Sequence, residues 1–354
     1  MKTEHILIIR FSAIGDVAMM VPVVYTLAHQ YPNVRITVLS RPFARNFFEN
    51  LMPNVGFMEA DLKNEYRGMK GLNALFRRLS AKHFTAIADL HNILRSSYLR
   101  MLFNMSRYKV AHIDKHRKGK HRLVAQTNKV MEQQPTSFQN YADVFERLGY
   151  PIDIEHSPFT SIFPPEGGLL RLLPPEIGEK KVFQQWIGIA PYAAHQGKIY
   201  PIELMTQVVE LLVKNHPSCR IFLFGGGAGE MKQFDQWASQ FKQCTNASAL
   251  LNGISQELIL MSHLDVMLSM DSANMHLASL TATPVVSVWG ATHPFAGFLG
   301  WHQRPENIVQ SDLPCRPCSV YGGRACRRGD YACLSSISPS TIVEAVERVI
   351  SNGS

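Results

Sequence analysis

Two runs of alternating strand and helix patterns, separated by a stretch rich in proline and glycine, constrain the fold of this chain most strongly. Short runs of β-branched and aromatic residues alternate with amphipathic helical stretches from His5 to Ile113, and again from Trp186 to Trp289. Such alternation is typical of parallel sheets covered by helices on both faces. The interval between the runs contains Pro158, Pro164, Pro165, Gly167, Gly168, Pro174, Pro175 and Gly178. The sequence therefore predicts two doubly wound α/β domains joined by a linker.

The predicted boundaries are residues 1–165 for the first domain, 166–185 for the linker and 186–354 for the second domain. A hydrophobic content of 46% lets each domain bury its own core. We predict strands over 5–11, 35–40, 55–59, 85–90, 109–113, 186–190, 220–224, 266–270 and 285–289. Predicted helices extend from the first turn to about residue 30 and over 42–51, 70–82, 93–104, 201–215, 229–241, 274–280 and 340–350, the last packing on either domain. Ligands of such folds bind beyond the carboxyl ends of the strands, here in an interdomain cleft.

No stretch of the sequence is apolar over the roughly 20 residues that a membrane-spanning helix needs. The longest near the start, from Val17 to Ala28, is interrupted by Pro22. Arg10 follows Ile6–Ile9 before a signal-type hydrophobic region is complete. We therefore expect a cytoplasmic protein.

The formal net charge of +8 is unevenly distributed. Residues 1–170 contain 22 Lys and Arg against 14 Asp and Glu, whereas residues 171–354 contain 14 of each. The densest part, Arg107–Arg122, is either a solvated basic loop or a contact for an anionic membrane surface, a phosphorylated acceptor or a nucleic acid. Nucleic acid is the weakest of these interpretations, because no nucleic-acid module accompanies the run and Tyr108 is its only aromatic residue.

The first motif with chemical potential is Phe11-Ser12-Ala13-Ile14-Gly15-Asp16, at the end of the first predicted strand. Gly15 permits a tight turn, and a carboxylate at this place can accept a proton from an acceptor hydroxyl. The alternative is that Asp16 caps the following helix, where its side chain accepts backbone N–H groups.

A glycine-rich turn, residues 225–230, follows the strand predicted over 220–224. Its backbone amides and the following helix terminus could bind a phosphate, or it could be a tight turn without a ligand. It also resembles a dinucleotide fingerprint, but no acidic residue follows at the roughly 20-residue distance that ribose binding requires. A nicotinamide oxidoreductase is therefore disfavoured.

Polar residues also end the strand predicted over 266–270. Ser272 and His276 are four residues apart and share one face of the following helix, whose N-terminus could hold a diphosphate. Lys198, on a loop between a strand and a helix, would add a compact positive charge at the same cleft. The alternatives are a structural histidine and a solvated surface lysine.

These motifs together resemble glycosyltransferase family 9, the lipopolysaccharide heptosyltransferase family. The resemblance rests on residues 12–16 with Pro22 downstream, Lys198 ahead of an aromatic–proline pair, Asp271-Ser272 with His276-Leu277-Ala278, and residues 290–294, in order over about residues 5–335. It implies a GT-B fold, in which two doubly wound Rossmann-like domains face each other across a cleft. It further implies inverting transfer of heptose from ADP-heptose to the lipopolysaccharide inner core, a lipid A–Kdo-type acceptor.

The resemblance assigns roles to single positions. Asp16 matches the catalytic base. The donor-binding positions are Lys198, Glu230, Asp271, Ser272, Ala273 and His276. Ala273 stands where the family usually has glycine, and Tyr200 where it usually has tryptophan. For acceptor contact we expect Arg10, Asp89, His91, Arg95, Lys115, Lys118 and Lys120, with a core or capping role equally open for Asp89.

No cofactor or metal is expected, because the chain lacks the D-x-D carboxylate pair of metal-dependent GT-A enzymes. Cys315, Cys318, Cys326 and Cys333 could bind structural zinc, although reduced thiols or a labile disulfide fit their spacing better. The expected partners are an ADP-sugar donor and an anionic glycolipid acceptor, with peripheral contact to the cytoplasmic face of the inner membrane and no nucleic acid. Alternatives are a GT-B transferase using another nucleotide sugar for a surface polysaccharide, or a noncatalytic nucleotide-binding protein in which Asp16 is only a cap.

Overall fold

Buried parallel strands organise both halves of the chain in the computed structural model, which describes residues 4–352. The chain divides into two units. Unit 1 comprises Met1–Lys115 and Pro135–Ile162, and unit 2 comprises His116–Gln134 and Phe163–Ser354. Each unit contains one sheet whose central strands are almost entirely buried. This explains why those strands read as continuous apolar runs in the sequence.

Unit 1 contains a five-stranded parallel sheet in the order β3-β2-β1-β4-β5. Its strands are β1 (His5–Ile9), β2 (Arg35–Ser40), β3 (Val55–Glu59), β4 (Ala86–Asp89) and β5 (Lys109–His112). The chain leaves β1 on one side for β2 and later returns on the other side for β4. The carboxyl ends of β1 and β4 are therefore neighbours, with Ile9 opposite Asp89. This is the switch point at which such sheets place ligands.

Helices cover both faces of this sheet. They are α1 (Ile14–Ala18), α2 (Met20–Gln30), α3 (Arg45–Phe48), α4 (Gly68–Ser80) and α5 (Leu94–Met105), and, after α6 (Arg117–Leu123) of unit 2, α7 (Ser137–Arg147). Leu72, Leu75 and Leu79 recur at helical spacing on α4 and pack with Leu99 and Phe103 of α5.

Unit 2 contains a six-stranded parallel sheet in the order β11-β10-β9-β6-β7-β8. Its strands are β6 (Trp186–Ala190), β7 (Arg220–Leu223), β8 (Cys244–Thr245), β9 (Val266–Met270), β10 (Val285–Trp289) and β11 (Ile308–Gln310). The switch point lies between β6 and β9, where Ala190 is opposite Ser269.

The helices of unit 2, besides α6, follow or flank these strands. They are α8 (Ile202–Asn215), α9 (Ala228–Gln240), α10 (Ala247–Leu250), α11 (Ile254–Met261), α12 (Ala273–Leu280), α13 (Ala332–Ser335) and α14 (Pro339–Asn352). Helix α14 packs against α8 and against β9, β10 and β11 of this unit. Short 3₁₀ turns occur at Pro42–Ala44, Leu170–Leu172, Pro175–Ile177, Gln196–Lys198, Pro294–Ala296 and Pro305–Asn307. No helix among the described residues has the length and apolar character to cross a membrane.

Residues 116–134, which the sequence analysis places in the first domain, belong to unit 2. The contacts of three residues explain this difference. The Lys120 ammonium lies 4.2 Å from the centre of the Phe298 ring, and the backbone N–H of Gln134 donates to the Phe295 carbonyl. The Lys129 ammonium donates to the carbonyls of residues 314, 316 and 317 at 2.8–3.2 Å. These contacts hold residues 116–134 to unit 2. The prediction of a loop is wrong for α6, although Arg117, Lys118 and Arg122 of the basic run stay exposed.

Gly290 provides a stability test of unit 2. A Cβ at this position would lie 2.5 Å from the carbonyl oxygen of Gly197 and 2.6 Å from Cγ of Leu334. We expect Gly290→Ala to lower the free energy of unfolding by about 1–3 kcal/mol, because backbone cannot yield as a flexible side chain can. Denaturant unfolding measures this. Gly229→Ala is the control, since its Cβ meets nothing within 4 Å and alanine favours the helix. Equal stability of Gly290→Ala and the parent would contradict the argument.

Candidate functional site

The switch point of unit 1 holds Asp16 in the first turn of α1. The helix begins after Ala13, so Asp16 is three residues inside it and is not the capping residue itself. Its Oδ2 accepts the backbone N–H of Ala13 at 3.3 Å and lies 2.6 Å from a guanidinium nitrogen of Arg10. The side chain of Asp16 keeps 34% of its surface exposed. The carboxylate is therefore both fixed by its neighbours and accessible from outside.

Arg10 is the fixed partner in this arrangement. Its side chain is 7% exposed, donates to the Leu90 carbonyl and lies 5.6 Å from the centre of the Tyr141 ring. Burial alone would lower the pKa of Arg10, but the Tyr141 hydroxyl and the Asp16 carboxylate raise it above its ordinary value. The Tyr141 hydroxyl in turn donates to the backbone carbonyl of Asp16 at 3.1 Å. Arg10 is thus a buried counterion of Asp16, and its predicted contact with an acceptor stays a prediction.

The Asp89 carboxylate holds the neighbouring loop. It is fully buried and accepts the backbone N–H groups of His91 and Asn92 at 3.0 and 2.8 Å, and it pairs with Arg100 at 2.9 Å. The core or capping alternative therefore describes the observed contacts of Asp89. Arg95 lies on the exposed side of α5.

His91 connects the two loops of this edge. Burial, with the charges of Arg10 and Lys115, lowers the pKa of His91 to about 3, so its ring is neutral near pH 7. The backbone N–H of Phe11 donates to Nδ1 at 3.3 Å, which leaves the ring proton on Nε2, 3.3 Å from the Ser12 hydroxyl. His91 thereby fixes the loop that leads to Asp16.

The switch point of unit 2 brings Lys198 and Asp271 together, with 3.0 Å between Nζ and Oδ2. Asp271 is 4% exposed, and its Oδ2 also accepts the Thr292 hydroxyl at 2.8 Å. The backbone N–H of Ala291 donates to the Gly197 carbonyl at 2.8 Å and holds the Lys198 turn against the end of β10. Asp271 and Thr292 thus orient the ammonium of Lys198.

Helix α12 begins directly beyond this pair. Ser272 is its N-terminal capping residue, Ala273 its first residue, and His276 lies buried one turn later. The Ser272 hydroxyl is 3.3 Å from that of Ser269. The positive end of a helix and the Lys198 ammonium are therefore at one strand edge, which suits an anionic group.

Glu230 occupies the glycine-rich turn predicted to bind either phosphate or nothing. Its Oε2 accepts the backbone N–H of Gly226 at 2.7 Å, and the Gly225 N–H donates to Ser248 at 2.8 Å. Two amides of the turn are thus satisfied by side chains. Burial, and secondly the Glu230 carboxylate, raise the pKa of the nearby Tyr192.

The three lysines predicted to contact the acceptor differ in their surroundings. Lys115 is half-buried in unit 1 and donates to the Asn92 carbonyl at 3.3 Å. Lys118 is exposed on α6, whereas Lys120 is 5% exposed beside Phe298. Only Lys118 of the three presents an exposed charge.

All six cysteines are unbonded. Within residues 4–352 no group of three or more His, Cys, Asp or Glu side chains is arranged to hold a metal ion. Burial raises the pKa of Cys219 to about 11, of Cys244 to about 12 and of Cys333 to about 11. The loop that carries Cys315 and Cys318 is held by Lys129 and by Arg316, whose guanidinium donates to carbonyls at residues 290 and 292.

The sequence did not reveal the contacts of Tyr141, Thr292 and Arg100, which lie 125, 21 and 11 positions from Asp16, Asp271 and Asp89. Thr292 lies in the segment 290–294 on which the resemblance rests. Tyr141 lies on α7, whose start is indicated in the sequence by the Thr136–Gln139 capping box. No local signal marks the pairing of Arg100 with Asp89.

Three solved structures are similar in fold over nearly the whole chain. A glycosyltransferase family 9 protein of Veillonella parvula is 18% identical with a TM-score of 0.75, covering 99% of this chain and 98% of its own. ADP-heptose lipopolysaccharide heptosyltransferase II of E. coli is 17% identical, with a TM-score of 0.65 and coverage of 98% and 99%. E. coli heptosyltransferase WaaC with ADP is 16% identical, with a TM-score of 0.64 and coverage of 99% and 100%. At these identities the likeness establishes the fold alone.

A search of curated protein sequences finds no match to this chain. The family model for glycosyltransferase family 9 (heptosyltransferase) matches residues 72–326, which is most of the chain. The two Rossmann-like units, the placement of Asp16 and Lys198 at their switch points and this match agree with one another: the chain is a glycosyltransferase and belongs to glycosyltransferase family 9, the heptosyltransferase family.

Proposed function

We propose that this glycosyltransferase transfers heptose from ADP-heptose, with inversion, to the inner core of lipopolysaccharide, a lipid A–Kdo-type acceptor. The observation that carries the proposal is the Asp16 carboxylate, accessible at the switch point of unit 1 and held 2.6 Å from Arg10. Inverting transfer requires a base that takes the proton from the acceptor hydroxyl, and an accessible carboxylate can do this. Fold relatives solved with ADP and with ADP-2-deoxy-2-fluoro heptose support this donor class.

Asp16 takes the proton of the acceptor hydroxyl. The hydroxyl oxygen then forms a bond to the anomeric carbon of heptose, on the face opposite the diphosphate. The bond between that carbon and the phosphate oxygen breaks, and ADP leaves with the bonding electron pair. Arg10 keeps the carboxylate in place before the reaction.

The leaving ADP accumulates negative charge that unit 2 stabilises. Lys198 supplies a compact positive charge, oriented by Asp271 and Thr292. His276 and the N-terminal amides of α12, at Ser272 and Ala273, complete the proposed diphosphate site, and Glu230 is proposed to contact the nucleoside. No step in this scheme uses a cofactor or a metal ion.

The proposed acceptor is an anionic glycolipid at the cytoplasmic face of the inner membrane. Arg95 and Lys118 are exposed cations suited to it, and His91 and Lys115 lie near the Asp16 edge. Arg10, Asp89 and Lys120 act through the internal contacts described above. Nucleic acid has no place in this scheme.

Two sequence departures bear on the donor. Tyr200 is fully buried and its hydroxyl donates to the Ile337 carbonyl at 2.6 Å, so its difference from tryptophan lies in the core. Ala273 lies at the start of α12, where a methyl group could alter the approach of the diphosphate. Another nucleotide sugar is therefore the second candidate donor.

Asp16→Asn is expected to lower kcat by a factor of about 10² to 10⁴, because the amide cannot accept the hydroxyl proton. ADP binding, measured by calorimetry, should stay unchanged. Thermal unfolding is measured as well, since Arg10 loses its charged partner. Asp153→Asn is the matched control, a carboxylate of unit 1 that bonds His156 at 2.8 Å. Near-normal turnover by Asp16→Asn would remove Asp16 from the role of base.

Lys198→Ala is expected to weaken ADP binding about tenfold to a hundredfold, the range of a charge-assisted hydrogen bond. Calorimetry with ADP measures it. Lys180→Ala is the control, because Lys180 forms a comparable pair with Asp265 at 2.7 Å in the same unit. An unchanged dissociation constant for Lys198→Ala, or an equal loss in both variants, would refute the diphosphate role.

The donor itself is tested with a panel of ADP-heptose, other nucleotide sugars and NAD(H). We expect ADP-heptose to raise the melting temperature most, because stabilisation follows the ratio of ligand concentration to dissociation constant. A larger shift with another nucleotide sugar selects the second candidate. Stabilisation by NAD(H) and by no sugar nucleotide would contradict a glycosyltransferase donor site.

A further inference from the structure

Helix α5 presents a stripe of apolar side chains to solvent. Leu94, Tyr98, Met101 and Met105 follow one another at intervals of four, three and four residues, which places them on one face of the helix. Leu94 is 88% exposed, Met101 46% and Met105 74%. We call these four residues the α5 stripe.

The other face of α5 is anchored in the core of unit 1. Leu99 and Phe103 are fully buried. The ring of Phe103 packs edge-on against that of Phe76 of α4, with 5.0 Å between the ring centres. Leu94, Met101 and Met105 therefore lie outside the core on a helix that is already packed, whereas Tyr98 is half-buried and contacts the margin of the core. The stripe is not an unfilled part of the hydrophobic interior.

Helix α4 lies beside α5 and extends the apolar surface. The Tyr98 hydroxyl donates to Oδ1 of Asn73 on α4 at 3.0 Å, and Met69 at the start of α4 is 66% exposed. Several large apolar side chains on one face of two adjacent helices are unusual on a monomer surface and mark a site of interaction.

The exposed charges between Tyr66 and Ile113 have one sign. From Tyr66 to Ile113 the only acidic residue is Asp89, which is fully buried and paired with Arg100. The exposed cations of α4 and α5 and their ends include Lys70, Arg77, Arg95 and Arg107. In the part of the chain that the structure describes, none of these four forms an ion pair. The surface is thus apolar with a cationic border.

Apolar side chains bordered by Lys and Arg are the pattern of helices that lie in the interface of an anionic bilayer. The cations reach phosphate headgroups while the apolar side chains enter the acyl boundary. A second copy of the chain would bring like charges together on the same surface. Charge complementarity therefore selects an anionic lipid surface as the occupant.

We propose that the α4–α5 surface of unit 1 docks on an anionic lipid bilayer. This docking rests on the proposed function, because an enzyme that acts on a lipid-anchored acceptor must reach it at a membrane. Helix α5 begins directly after the Asp89–Asn92 loop. The docking surface therefore adjoins the edge of unit 1 that carries Asp16.

The test is cosedimentation of the full chain with vesicles of phosphatidylglycerol and phosphatidylethanolamine, and with vesicles of phosphatidylcholine alone. We expect binding to the anionic vesicles, weakened at high salt because the headgroup attraction is screened. Leu94→Ser with Met105→Ser should lower the partition coefficient about tenfold or more. Arg77→Gln with Arg107→Gln should lower it about tenfold or more and reduce its salt dependence, because two of the exposed cations are removed.

The matched control is Val182→Ser with Phe183→Ser, which removes two exposed apolar side chains from unit 2. It should bind anionic vesicles as the parent does. The proposal is overturned if the parent chain ignores anionic vesicles, if the stripe variant binds like the parent, or if the control loses as much. It is also overturned if light scattering shows that the parent self-associates through the stripe and that Leu94→Ser with Met105→Ser abolishes this.

Transfer from ADP-heptose to a deacylated, water-soluble acceptor separates this proposal from the proposed function. The stripe variant should retain parental turnover on that acceptor while losing vesicle binding. If the stripe variant loses vesicle binding and the parent transfers no heptose, the docking surface is supported and the proposed reaction is refuted. If the parent transfers heptose but binds no vesicles, the proposed reaction is supported and the docking surface is refuted.

Discussion

The buried guanidinium of Arg10 is the interaction on which the candidate site of unit 1 depends. A charge with 7% of its side chain exposed is stable only when it is paired and hydrogen-bonded. Asp16 supplies the opposite charge and Leu90 a carbonyl, while Tyr141 covers the guanidinium and bonds the backbone of Asp16. The ends of β1 and β4 and the helix α7 are thereby tied together. The same contacts leave one carboxylate accessible at the switch point of the sheet.

The sheet of unit 2 has a switch point of the same kind, but the more accessible charge there is positive. Its switch point lies between β6 and β9, and the loops beyond these strands place Lys198 against Asp271. Thr292, beyond β10, completes the pair. Each switch point therefore carries one ion pair, Arg10 with Asp16 in unit 1 and Lys198 with Asp271 in unit 2. The two pairs differ in which partner is the more buried. In unit 1 the carboxylate is the accessible partner, whereas in unit 2 the carboxylate is the buried one that orients the ammonium.

The central strands were predictable because buried parallel strands are continuous apolar runs. The predicted bounds of β2, β3, β6, β9 and β10 agree with the structure to the residue, and both Rossmann-like folds are confirmed. The edge strands β8, of two residues, and β11, of three, are too short to produce a pattern. Helix α7 was missed although its capping box stands in the sequence, and the stretch predicted as one helix over 42–51 is a 3₁₀ turn followed by the four-residue α3.

The candidate site was predictable as a set of positions but not as a set of contacts. Strand ends mark Asp16, Asp89 and Asp271, since ligand-binding loops follow strands in this fold. Some of the contacts that hold these loops join distant parts of the chain. Tyr141 lies 125 positions from Asp16, and Leu90 lies 80 positions from Arg10, so no local pattern records these pairings. The assignment of residues 116–134 to unit 2 likewise reflects contacts of Lys120 and Lys129 with residues far along the chain.

The central claim is that Asp16 deprotonates an acceptor hydroxyl that attacks the anomeric carbon from the face opposite ADP. Proton NMR of freshly formed product, from ADP-heptose and a soluble inner-core acceptor, reads the anomeric configuration directly. Attack from that face inverts the configuration relative to the donor, so we expect the inverted anomer in every product molecule. Retention of the donor configuration would require a different chemical route and would contradict the role assigned to Asp16.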